Sequence, residues 1–338
     1  MDFEVAVRDG TSKADSGARF IVRPALYIYI SIVLGVVLAA GFYKLRTEGI
    51  FACQAGGYSS DRYLSYCHIS GYGDYEHGAF WFGLEPSIQD HATSAEVLLL
   101  GSSRMQLGLS TGATADWFSS VPARYYLMGF GYNENAAFAQ ELLLKFKPKA
   151  KVYVINIERF FDRTETLPAR TVMRDPAARG RYEVKRLWQF VHRPICQGLP
   201  MMCGDQYVIF RSRETGAFSV SGLSQFKSAA VSYDRSMNKT APRTNEVAIG
   251  REFLSRLPVK QECIILTTVP SVGTKIGTVN AIANALGKTL VMPDLDGLQT
   301  YDESHLDRPS AERWSKAFVQ AVAPQIRRCL ADSKEPRP

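Results

Sequence analysis

Histidine is scarce in this chain, with five among 338 residues. None of them stands at zinc-type spacing from the cysteines, so a finger or ribbon built on a structural metal is not indicated. No glycine-rich phosphate loop is present, which takes away the usual cradle for a nucleotide. No basic helix is interleaved with aromatics, and the net charge of +7 is moderate and dispersed. Such a charge suits a neighbour of anionic lipid or polymer, and nucleic acid is not an expected partner. No cysteine pair has redox-motif spacing. Internal repeats and dominant low-complexity tracts are missing too, and 46% hydrophobic with 22% charged residues is the composition of a folded protein. No metal and no organic cofactor is expected.

Long apolar runs are few, and one dominates. "PALYIYISIVLGVVLAAGFY", between Arg23 and Lys44, carries no charge. About twenty apolar residues cross a bilayer's hydrocarbon core as a helix. Tyr27, Tyr29 and Tyr43 at its ends suit the membrane interface. A buried core helix and a cleavable signal peptide are the alternatives. The polar region before the run is long for a signal peptide, and no small-x-small site precedes Lys44. The expectation is an uncleaved transmembrane helix over 25–43. Arg8, Lys13, Arg19 and Arg23 precede it, and only Lys44, Arg46 and Arg62 follow closely. That bias puts the N-terminus in the cytoplasm and the rest outside. All six cysteines (Cys53, Cys67, Cys196, Cys203, Cys263, Cys329) follow the span, and an even number in an exported domain invites disulfides. Fifteen pairings are open. Nearness in the chain favours Cys53–Cys67 and Cys196–Cys203, leaving Cys263–Cys329; six reduced, buried thiols are the alternative.

The remaining organisation reads as follows. Residues 1–24 form a mixed-charge cytoplasmic tail. Residues 44–95 form an irregular lead-in rich in Gly, Tyr and Ser, whose aromatics between Tyr58 and Phe82 serve packing rather than sugar stacking. Residues 96–330 form the main domain, with an insertion at about 158–255, and residues 331–338 are a C-terminal tail. "EVLLLG" is a strand buried on both faces, ended by glycine. "RYYLMGF", "KVYVINI", "ECIILTTVP" and "KTLVMP" are further strands. "ENAAFAQELLLKFKP", "VGTKIGTVNAIANALG" and "SAERWSKAFVQAVAPQIRRCL" are helices, the last with Pro324 as a kink point. One more helix lies near "RGRYEVKRLWQFVH". Strands alternating with helices predict an α/β fold with a parallel sheet and helices on both faces.

Ligands of such sheets gather at the carboxyl ends of the strands. There the sequence places Ser102, Ser103 and Arg104 after the first strand, Gly129 and Gly131 around the end of the second, and Asn156 and Glu158 after the third. Asp302 and His305 stand in a loop before the last helix. A serine becomes a nucleophile when a base takes its proton and a carboxylate orients that base. Ser103, His305 and Asp302 meet those three roles, with the i, i+3 spacing placing Asp302 and His305 on one side of a turn. Backbone N–H groups at Ser103 and at Gly129 or Gly131, with the Asn156 amide, are candidate oxyanion donors. The plainer readings are that Ser102 and Ser103 cap a helix, that Arg104 is structural rather than substrate-steering, and that Asp307 competes with Asp302. His68, His77, His91 and His192 have no partner spacing and carry no expected role.

"LLLGSSR" after a first strand, with "DESHLDRPSAERW" opening the last helix, resembles the SGNH hydrolase superfamily. It is most similar to the membrane-anchored branch serving cell-envelope O-acylation, which includes alginate acetylation proteins and the D-alanyl lipoteichoic acid transfer protein. The resemblance covers roughly residues 95–160 and 260–325. Gly101 matches the glycine of the family's Gly-Asp-Ser block, Ser102 stands where Asp is usual, and Ser103 takes the nucleophile's place. The Asp-x-x-His block falls on Asp302 and His305. The Gly-x-Asn-Asp block has no match in "INIERFFD", where Asn156 is the only amide and Glu158 lies nearer the position of the block's asparagine. The resemblance implies a flavodoxin-like three-layer α/β/α sandwich on the periplasmic side of a bacterial inner membrane. It implies transfer or hydrolysis of an acyl group, by the same resemblance acetyl, on an exported polysaccharide through an acyl-enzyme. A multi-spanning membrane O-acyltransferase is the implied partner. The alternative is a catalytically silent assembly factor of an envelope polysaccharide machine, and the unmatched third block supports it.

Overall fold

The computed structural model describes residues 24–68, 72–223, 226–234 and 244–332. The expected N-terminal tail therefore lies outside the described residues apart from Pro24, and so does the C-terminal tail beyond Asp332. The chain divides into two units, 1–44 and 45–338.

The apolar run is a single helix, Pro24–Thr47, most of it in the first unit, and it extends past the expected end at residue 43. Its stretch Ala25–Thr47 is 23 residues long with a mean hydropathy of 2.3 in its most apolar window. At about 1.5 Å per residue it exceeds a hydrocarbon core of about 30 Å. Among the described residues it is the one helix long and apolar enough to cross a membrane.

The second unit is built on a five-stranded parallel sheet. Its strands are β1 (Val97–Ser102), β2 (Tyr125–Phe130), β3 (Val152–Asn156), β4 (Ile264–Thr267) and β5 (Leu290–Val291). They lie in the order β5-β4-β3-β1-β2, all neighbours parallel. All five were expected. Successive side chains of a strand point to opposite faces, and here they enter two separate cores. Leu98, Leu100, Tyr126, Met128, Tyr153 and Ile155 join one, with Phe138 and Leu142 from the helix Ala136–Phe146 and Phe253 from Thr244–Ser255. Val97, Leu99, Leu127, Val152 and Val154 join the other. That second core is closed by Trp314, Phe318, Val322 and Ile326, which recur every fourth residue along the helix Arg308–Asp332. Pro324 sits inside this helix, which continues to Asp332. With apolar cover on both faces β1 to β4 have no polar side to show, hence the continuous runs in their sequence, while β5 at the edge is half-buried.

A second sheet was not foreseen. Gly73–Asp74, Arg62–Cys67, Val208–Ser212 and Phe218–Ser221 form an antiparallel sheet in that order. It joins the lead-in, expected to be irregular, to the insertion. Tyr63 pairs with Arg211, far along the chain. The lead-in also holds two short helices, Glu76–Trp81 and Ile88–Ser94. Arg62–Cys67 is buried at four of its six positions, on both faces, so its sequence lacks the alternation that marks a half-exposed strand. The aromatics Tyr63, Tyr75 and Phe80 are fully buried, in line with a packing role.

The cysteines pair as Cys53–Cys67, Cys196–Cys203 and Cys263–Cys329, with Cα separations of 5.9, 5.7 and 5.7 Å. These are the pairings that nearness in the chain favoured. The last ties the entry of β4 to the end of the final helix across 66 residues. Closing a loop of that size restricts the unfolded chain by about 4 kcal/mol. Replacing Cys263 and Cys329 together by alanine is expected to lower unfolding stability by up to that amount, read by chemical denaturation of the full chain.

Candidate active site

β1 ends at Ser102, and the helix Ser103–Leu109 begins at once. This abrupt turn needs room. A Cβ on Gly101 would come within 2.9 Å of Met105 Cβ and 3.0 Å of Asn156 Cβ, so only glycine fits. Ser102 occupies the cap position without making a side-chain cap bond, so the helix-capping reading does not account for it. Buried Gln106 ties the same helix to β2, its Nε2 donating to Leu127 O at 2.9 Å and Gly129 O at 2.7 Å. Ser103 is thereby set on the first turn of a helix fastened to two strands. The N–H groups of such a first turn have no partner within the helix.

His305 reaches Ser103 from the opposite end of the chain. The Ser103 Oγ–His305 Nε2 distance is 2.8 Å, and His305 Nδ1 lies 2.7 Å from Asp302 Oδ2. An ionised carboxylate only accepts, so Nδ1 carries the proton toward Asp302 and Nε2 is left to accept from the serine hydroxyl. Asp302 Oδ1 also accepts the backbone N–H of His305 at 2.7 Å and of Ser304 at 3.1 Å. Burial acts to raise the Asp302 pKa, but the hydrogen bonds from His305 and Ser304 outweigh it and leave the carboxyl below its usual range. Asp302 thus stays an anion that orients the imidazole. Asp307, the competing carboxylate, is committed elsewhere: its Oδ1 caps the last helix by accepting from Ser310 N at 2.9 Å.

Arg104 proves to be a brace. Its Nε donates to Ser304 Oγ at 3.0 Å, and its guanidinium pairs with Glu158. It joins the residue after the serine to the residue before the histidine. Glu158 is the anion that holds it.

The expected oxyanion donors separate. Asn156 is buried, its Oδ1 accepts from Val269 N at 2.9 Å, and its Nδ2 has no partner among the described residues. The Gly131 N–H is engaged, donating to Glu76 Oε1 at 2.7 Å. Gly129 lies inside β2 in register with Gly101, packed against Gln106 and Met105, rather than in a loop facing the serine.

Two residues of the site wall had no sequence signal. Tyr301 stacks on His305 with ring centroids 5.6 Å apart and planes at 17°, and its hydroxyl lies 3.1 Å from that of Tyr207. Burial pushes both phenols well up, so they remain neutral. Tyr207 immediately precedes a strand of the antiparallel sheet, so the insertion supplies this wall.

A second polar cluster involves His77, to which no role had been given. His77 is fully buried, with Nδ1 at 2.9 Å from Asp74 Oδ1 and Nε2 at 3.0 Å from Glu134 Oε2. Beside it, Arg211 pairs with Glu76 at 3.3 Å and donates to Leu127 O at 2.8 Å. This network locks the segment after β2, where Tyr132 and Asn133 adopt positive φ. Asp74, Glu76 and His77 are close enough together to hold a metal ion, as are His192, Cys196 and Cys203. In the first set the donors are engaged by Tyr182, Arg211, Gly131 and Glu134. In the second the thiols are spent in a disulfide.

No protein-family model, curated protein or solved structure matches this chain.

Burial alone would lower the His77 pKa, but Asp74 and Glu134 on its two nitrogens reverse that and raise it to about 10. A histidine raised in the folded state adds stability that is full below the ordinary value near 6.5 and is lost as pH climbs through about 10. His77→Ala leaves two buried carboxylates short of their cation, for an expected loss of about 3–5 kcal/mol at neutral pH. Denaturation curves of wild type and variant should converge as pH passes through that range.

Proposed function

We propose that this chain is a membrane-anchored acyltransferase or esterase of the SGNH type, acting on an exported polysaccharide. The observation that carries the reading is the unbroken hydrogen-bond chain Ser103–His305–Asp302 at 2.8 and 2.7 Å. The strand order β5-β4-β3-β1-β2 supports a flavodoxin-like three-layer sandwich. Ser103 lies directly beyond the carboxyl end of β1, beside the point where the order reverses between β1 and β3. The apolar N-terminal helix and the three disulfides support an anchored domain on the oxidising side of a bacterial inner membrane, with the N-terminus in the cytoplasm.

In this reading Ser103 Oγ gives its proton to His305 Nε2 as it attacks the acyl carbon. Asp302 holds the imidazolium that results. The oxyanion is met by the Ser103 N–H and by Asn156 Nδ2. His305 returns the proton to the departing alkoxide, leaving an acyl-serine. Water completes a hydrolysis; a sugar hydroxyl, deprotonated by His305, completes a transfer. The acyl group is acetyl, and a multi-spanning O-acyltransferase is the partner that supplies or receives it.

A second reading, a silent assembly factor, is favoured by one observation: the Gly131 N–H is already used by Glu76. The two readings part on activity. The full chain in detergent should hydrolyse a small acetyl ester. Ser103→Ala should abolish this, and Asp302→Asn should reduce the rate by roughly 10⁴-fold. Hydrolysis that survives in Ser103→Ala, or its absence from wild type, contradicts the catalytic reading. Adding an acceptor glycan then separates transfer from hydrolysis by product.

A further inference from the structure

The helix Ala178–Gly198 is amphipathic the wrong way round for a soluble body. Its buried side is largely polar. Tyr182 donates to Asp74 Oδ2 at 2.8 Å, Gln189 bonds both the N–H and the carbonyl of Leu64 at 3.1 Å, and His192 Nε2 meets Cys53 O at 2.9 Å. Its outer side is apolar. Val184, Leu187, Trp188 and Val191 follow one another at helical spacing and are exposed, Leu187 by 63% and Trp188 by 49%. Leu199 and Met201, just past the helix end, are exposed as well, at 57% and 67%. Contiguous apolar surface of this kind marks a docking face.

Two further observations say what covers it. The first is charge. The helix carries Arg179, Arg181, Lys185, Arg186 and Arg193 against one carboxylate, Glu183. Arg179 pairs with Glu183 at 2.9 Å, Arg181 with Asp175, and Lys185 turns inward to the Asp74 carbonyl, which leaves Arg186 and Arg193 beside the stripe without a carboxylate among the described residues. Cations flanking an apolar stripe with a tryptophan in it describe a helix that lies in a membrane surface among anionic headgroups. The second is tethering. The apolar N-terminal helix ends at Thr47, and the next turn, Gly49–Ala52, is bonded to the segment that follows the amphipathic helix, Gly204 N donating to Phe51 O at 2.7 Å. Phe51 is four residue steps beyond Thr47, a reach of at most about 14 Å at 3.5 Å per residue. The C-terminal end of the stripe is therefore held close to where the chain leaves a bilayer.

We propose that Val184, Leu187, Trp188, Val191, Leu199 and Met201 insert into the surface of the bilayer that holds the chain's own anchor, with the flanking arginines on lipid phosphates. The inference rests on the reading of Pro24–Thr47 as membrane-spanning. A second contact of this kind fixes the angle at which the body meets the membrane, which a single helix cannot do.

The test uses the full chain reconstituted into vesicles of phosphatidylglycerol and phosphatidylethanolamine with brominated acyl chains, which quench tryptophan on contact. The chain has four tryptophans, and none lies in the N-terminal helix. Flotation with the vesicles reports the anchor by itself. Quenching reports the stripe, with Trp188→Phe isolating its share. The expected result is bromolipid quenching that is largely lost in Trp188→Phe and weakened in Leu187→Glu, while all three proteins float. It should also weaken when phosphatidylcholine replaces the anionic lipid. Floating wild type in which bromolipid leaves Trp188 unquenched, and aqueous iodide quenches it freely, overturns the proposal and leaves the stripe to a protein partner. Failure to float overturns the spanning reading instead.

Discussion

A 2.8 Å hydrogen bond between residues 202 apart in the chain, Ser103 and His305, sets the tolerance to which this body is held. Such a bond weakens steeply with small displacements. The fold meets that demand from both sides. Gly101 leaves room between Met105 of the helix carrying Ser103 and Asn156 at the end of β3, and Gln106 fastens that helix to β2. On the other side, Trp314 and Phe318 seat the final helix against the sheet, and Cys329 ties its far end to β4. Arg104 then bridges the two halves beside the reacting groups, through Ser304 and Glu158. Serine and imidazole are thereby placed by packed secondary structure, and Asp302 only has to keep the ring's orientation.

The antiparallel sheet has a different task. It carries Arg211 to the Leu127 carbonyl at the edge strand β2 and to Glu76, and Glu76 in turn receives the Gly131 N–H. Next to it His77 bridges Asp74 and Glu134. These buried charges are paired with one another, and each is costly to leave alone. The same sheet leads the Tyr207 hydroxyl to that of Tyr301, whose ring lies on His305. The lead-in and insertion are therefore part of the site's support, although neither contributes to the serine–histidine–aspartate chain.

What the amino-acid sequence made legible follows from range. β1 to β4 are buried on both faces, β5 is a half-buried edge strand, and all five read as apolar runs ended by glycine, asparagine or proline. Ser103, Asp302 and His305 stand in compact blocks at strand and helix ends, where position alone suggests chemistry. The antiparallel sheet was hidden because Arg62–Cys67 finds its partner about 145 residues downstream and shows no alternation. His77 was passed over although Asp74 stands three residues before it, the spacing of Asp302 and His305; its second partner, Glu134, lies beyond β1 in the chain. Gly131 was assigned by its place after a strand, and the buried Glu76 that occupies its N–H lies in a segment expected to be irregular. Glu158 looked like a defect in a block; only its pairing with Arg104 gives it a role.

The central claim is that Ser103 is an activated nucleophile, and covalent capture tests it most directly. Full-length protein treated with a serine-reactive fluorophosphonate, then digested and read by mass spectrometry, should carry a single adduct on Ser103, absent from His305→Ala. An adduct on Ser102 or another hydroxyl, or equal labelling of Ser103 in wild type and His305→Ala, would contradict it.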